Sequence, residues 1–66
     1  MIKLTLSQVK LEIKKRNEII DSHNEIINLM KWLKMNSPFI IELENMIENE
    51  NEIIKCLETI KEGLDP

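Results

Sequence analysis

The tetrapeptide Met35-Asn36-Ser37-Pro38 constrains this chain more than any other stretch. Proline clashes with a helical conformation at the residue before it, whereas serine caps a helix well and proline suits the first helical position. One helix therefore stops and another starts within four residues, and the chain folds back. The sequence on either side is amphipathic with a helical period, which leaves no segment for a further layer. The expected fold is all-α, an antiparallel two-helix hairpin forming one domain over 1–66. Helix 1 is placed at about 6–35, the turn at 36–37 and helix 2 at about 38–62.

Local signals fix the helix ends. Thr5-Leu6-Ser7-Gln8 matches a capping box, and Leu4 and Val9 fall at the staple positions around it. Gly63, followed by Asp65-Pro66, is expected to supply the left-handed residue that ends helix 2. Between these ends the apolar residues run in seven-residue columns. In helix 1 these are Leu6, Ile13, Ile20 and Ile27; then Ile19, Ile26 and Leu33; then Val9, Arg16, His23 and Met30. Helix 2 repeats this with Phe39, Met46, Ile53 and Ile60; Ile40, Ile47 and Ile54; and Leu43, Glu50, Leu57 and Leu64. Three of every seven positions thus face inward, which is bundle patterning rather than the two-column seam of a simple coiled coil.

Folding about residues 36–37 pairs residues whose numbers sum to about 73 or 74. Ile27 then meets Ile47, Ile20 meets Ile54, and the core stripe comprises Ile13, Ile20, Ile27, Ile40, Leu43, Ile47, Ile54 and Leu57. The two inward polar residues, His23 and Glu50, also sum to 73, so a hydrogen-bonded core pair that fixes the register is expected. Near the open end Glu12 is expected opposite Lys61, and Arg16 opposite Leu57 and Glu58, as interhelical ion pairs.

A chain of 66 residues buries only about 60% of its unfolded surface. Six apolar columns leave surface uncovered once the two helices have met. A second copy is the simplest cover, giving a homodimeric four-helix bundle. The architecture resembles the helical-hairpin dimers typified by the Rop plasmid-copy-number regulator, in length and topology.

Charge and chemistry narrow the function. Residues 1–35 carry seven Lys/Arg against four Asp/Glu, and residues 36–66 carry two against eight. A basic helix lying beside an acidic one accounts for this, and for the Lys10, Lys14, Lys15 and Arg16 cluster with Lys3 nearby, so nucleic acid is not the expected partner. No apolar run approaches the roughly 20 residues that span a bilayer. The start lacks a signal-peptide pattern and Cys56 is the lone cysteine, so a cytoplasmic setting is expected. A single histidine and a single cysteine on different helices suggest neither catalysis nor a metal or other cofactor. The heavy use of Ile, Lys, Asn and Glu suits an AT-rich bacterial or phage genome.

Ile2 to Ser7 also alternates strictly, and Ser22-His23-Asn24-Glu25 makes a second capping box. On these residues the first half of the chain resembles the ribbon-helix-helix DNA-binding family, which implies a transcriptional regulator with Lys3, Thr5 and Ser7 facing bases. The principal expectation is different: a small non-enzymatic interaction or regulatory protein that binds itself and another protein. Leu29, Trp32 and Met35, off the inward stripe, and Phe39 across the turn form the candidate partner-binding patch, since Trp and Met are favoured in such sites.

Overall fold

A computed structural model describes residues 4–65. It consists of α1 (Leu6–Trp32) and α2 (Pro38–Leu64), packed against each other as a hairpin. Thr5 caps α1: its Oγ1 accepts the Gln8 N–H at 3.2 Å, and its own N–H donates to Gln8 Oε1 at 2.9 Å, closing the capping box. Ser37 caps α2 by accepting the Phe39 N–H at 3.2 Å, with Pro38 in the first turn. Both helix starts follow from side chains that satisfy backbone donors left free by the helix itself.

The helix ends depart from expectation. α1 stops at Trp32, three residues early, because Lys34 takes a left-handed conformation with φ 56°. The Lys34 N–H then donates to the Lys31 carbonyl at 3.0 Å and the Met35 N–H to the Met30 carbonyl at 2.9 Å. This pair of bonds is a Schellman motif closed by a residue that is not glycine. Gly63, by contrast, lies inside α2 without a positive φ, and the helix continues to Leu64.

The early stop moves the register. With α1 ending at Trp32 and α2 beginning at Pro38, residues at equal height have numbers summing to about 70, not 73 or 74. Met30 is then level with Ile40, Ile27 with Leu43, Ile20 with Glu50, and Val9 with Lys61. Ile27, Met30 and Leu43 form the buried cluster, with Ile40 and Ile47 packed on it. Val9 and Ile54 are buried further along, Val9 being only 1% exposed. Ile13, Ile20, Ile47 and Leu57 of the same stripe are half-buried.

Helix α1 runs unbroken through Asp21-Ser22, where the ribbon-helix-helix resemblance requires a turn. Ser22 does not cap a helix; its hydroxyl donates back to the Glu18 carbonyl at 3.1 Å. Ser7 sits in the first turn of α1 and no strand occurs among the described residues, while Ile2 and Lys3 lie outside them. No described helix is long and apolar enough to cross a membrane.

Candidate interaction surface

The seam between the helices is narrower than three columns. Spacing of three then four residues along Leu6, Val9, Ile13, Arg16, Ile20, His23, Ile27 and Met30 keeps two columns against α2, and Ile40, Leu43, Ile47, Glu50, Ile54 and Leu57 do the same from the other side. This is coiled-coil geometry.

Three polar residues interrupt the seam, and their pairing corrects the expected one. Glu50 does not bond His23; its Oε2 accepts from Arg16 Nη1 at 2.9 Å across the interface. Glu12 Oε1 lies 3.2 Å from Arg16 Nε, one turn back on α1. The Glu50 hydrogen bond pushes the Arg16 pKa up from its already high value, with partial burial opposing and both carboxylates adding to the rise. Two carboxylates thus hold one guanidinium at the edge of the core. His23 is half-buried, and its Nδ1, shielded from solvent, has no hydrogen-bond partner. The shifted register explains both observations. Glu50 sits level with Ile20, one helical turn from the level of Arg16, and the long guanidinium side chain spans that gap. Lys61 is level with Val9 and does not pair with Glu12.

The third column of each helix is left uncovered. Ile19 and Ile26 on α1 with its C-cap Leu33, and Phe39, Met46, Ile53 and Ile60 on α2, are 38–52% exposed. In each helix this column immediately precedes a seam column, and antiparallel packing puts the corresponding flanks of two helices on the same side. The seven side chains therefore line one flank of the hairpin. The next columns outward on that flank are nearly free of charge: Gln8, Lys15, Ser22 and Leu29 on α1, and Glu42, Asn49, Cys56 and Gly63 on α2. Shallow grooves follow the same flank. One of about 530 Å³ is lined by Asn49, Glu52, Ile53, Cys56 and Leu57, and one of about 420 Å³ by Lys15, Glu18, Ile19, Ser22 and His23. The opposite flank carries Lys10, Asn17, Asn24 and Lys31 against Glu44, Asn51 and Glu58, all exposed.

At the turn end the apolar surface continues around α1. Leu29 follows Ile26 by three residues and precedes Leu33 by four, so it extends the same patch, and Trp32 lies beyond it with 77% of its surface exposed. Met35, Phe39 and Ile41 are also exposed there. The four candidate partner-binding residues Leu29, Trp32, Met35 and Phe39 are thus all solvent-accessible in the isolated hairpin. What the sequence concealed was their continuity with the flank, since the third columns read as inward.

The total exposed area supports an uncovered surface. The chain exposes 5487 Å², against roughly 4,400 Å² for a compact protein of this mass. Its radius of gyration is 15.2 Å, against about 11 Å for a compact domain of this length. Only five hydrophobic side chains among the described residues are buried.

Among the described residues no group of three His, Cys, Asp or Glu side chains is placed to hold a metal ion. Cys56 is exposed on α2, level with Lys14 and so about 14 Å along the hairpin from His23. No family model, curated protein or solved structure matches this chain.

Proposed function

We propose that this chain is a small non-enzymatic protein-protein interaction or regulatory module, working as a homodimeric four-helix bundle in the cytoplasm. The observation that carries the reading is the flank of half-exposed apolar side chains from Ile19 to Leu33 and Phe39 to Ile60, bordered by columns almost without charge. Large contiguous apolar patches on a small protein mark interaction surfaces.

Area supports a second copy as one occupant. Twice 5487 Å² exceeds by about 3,700 Å² the surface of a compact dimer, within the roughly 2,000–5,000 Å² range of obligate homodimers. The Leu29, Trp32, Met35 and Phe39 patch at the turn end extends that surface and is open to the second copy or to a different protein. Its aromatic and thioether side chains offer large, adaptable contact area, the chemistry favoured at binding hot spots.

Thermal unfolding followed by circular dichroism tests the reading. The midpoint should rise with protein concentration, because folding coupled to self-association depends on mass action. A midpoint independent of concentration over two decades, with a sharp transition, would mean that the hairpin stands alone.

A further inference from the structure

The exposed residues at the two ends of α1 fit each other. At the turn end Leu29 and Trp32 project from the outer side of the apolar flank. At the open end, on the same side, a pocket of about 360 Å³ is lined by Leu4, Gln8, Val9, Leu11, Glu12 and Lys15 of α1 and its N-terminal approach, with Leu57 from α2. Trp32 and Leu11 are three heptads apart in one column, and Leu29 and Gln8 are three heptads apart in the next. A projection and a pocket in the same columns at opposite ends cannot meet within one helix. They meet when two copies run in opposite directions.

The numbers then fix one axis. Pairing Trp32 with Gln8 and Leu29 with Leu11 across two antiparallel α1 helices gives sums of about 40, centred near Ile20. The same pairing sets Lys15 beside Glu25, opposite charges on the polar edge of the flank. On α2, Phe39 with Ile60 and Met46 with Ile53 each sum to 99, so that column is symmetric about the level of Glu50. Ile20 and Glu50 are level in the hairpin, as established from the helix ends. One twofold axis near that height therefore serves both sets of pairings, with the midpoint of Ile19 and Ile26 on α1 about two residues nearer the turn.

We infer that the apolar flank is covered by a second copy turned end for end, about a twofold axis perpendicular to the helices near Ile20 and Glu50, with Trp32 and Leu29 of each copy seated against the Leu4–Leu11 pocket of the other. The inference rests on the proposed self-association and names the occupant of the Trp32 patch. The alternative twofold arrangement, with both turns at one end, sets Trp32 beside the second copy's own turn and leaves the pocket unfilled. An isologous contact also makes each knob-and-pocket pair occur twice.

The test is a distance. A spin label on Asn36→Cys in a Cys56→Ser background reports the separation of the two turns by dipolar spectroscopy, with sedimentation on the same sample. Turns at opposite ends lie about 40 Å apart, the length of a 27-residue helix. A separation of about 20 Å or less, roughly two helix diameters, in a sample of dimer mass would overturn the end-for-end arrangement and leave self-association intact. A monomer mass without dipolar coupling would overturn both. The contact itself is tested by Trp32→Ala and Leu11→Ala: each should weaken the dimer about tenfold, and the double variant should be little worse than either single one. Fully additive losses would remove Trp32 from that pocket.

Discussion

Replacing Ile53 with glutamate separates the stability of the hairpin from that of the proposed dimer. Ile53 is already mostly covered within one chain and keeps 38% of its surface exposed. Full burial of an isoleucine is worth about 1.5–3 kcal/mol, so covering the remaining fraction contributes about 0.6–1.1 kcal/mol per copy and about 1–2 kcal/mol across a twofold interface. A carboxylate left there without a partner adds a desolvation cost of at least about 1–3 kcal/mol per copy. Together these amount to at least about 3 kcal/mol, or a dimer dissociation constant raised at least about a hundredfold. The local helix does not suffer, since glutamate is a better helix former than isoleucine. Size-exclusion chromatography with light scattering, run as a dilution series, gives the dissociation constant, and circular dichroism at high dilution gives the monomer's helicity. Asn51→Glu, an exposed change of equal charge on the opposite flank, serves as the control and should shift stability by no more than about 0.5 kcal/mol. Equal effects from the two substitutions would show that the Ile53 flank covers nothing.

Three further predictions concern the single chain. Lys34→Gly should raise stability by about 0.5–1 kcal/mol, because a left-handed residue with a Cβ costs about 1–2 kcal/mol and glycine removes that cost while losing more entropy on folding; a lower urea midpoint would mean that the turn is not in this conformation. Gly63→Ala should also stabilise, by about 0.5–1 kcal/mol, since Gly63 is helical and a Cβ there meets no atom within 4 Å; a loss in thermal melting would place Gly63 in a cap after all. His23→Leu should add about 1–2 kcal/mol in chemical denaturation, because it removes the shielded Nδ1 that lacks a partner and restores an apolar seam position. A loss of stability there would show that the imidazole does have a partner in solution.

Legibility in the sequence tracked how local the governing chemistry was. The Thr5–Gln8 capping box and the Ser37-Pro38 start were readable because each is closed within three residues. The end of α1 was not, since nothing marks a lysine as the left-handed residue of a Schellman motif, while the one glycine drew the expectation to Gly63, where it does not apply. That three-residue error then propagated: a hairpin register is a sum over both helices, so it displaced the core pairing by about one turn and put His23 opposite Glu50. The Arg16–Glu50 bond, 34 residues apart in sequence, depends on that register and on the reach of a guanidinium. The third apolar column was visible by period alone, but periodicity states that a face is apolar and not what covers it. The heptad pattern puts Trp32 off the stripe, but its place beside the flank depends on how the two helices pack.

Sedimentation equilibrium of the unmodified chain, from micromolar to millimolar concentration, bears most directly on the covered-flank reading. A species of twice 7.8 kDa that gives way to the single chain on dilution is the expected result. A mass of 7.8 kDa at every concentration would contradict it, because the apolar flank from Ile19 to Ile60 would then stand open to water as the resting state of the protein.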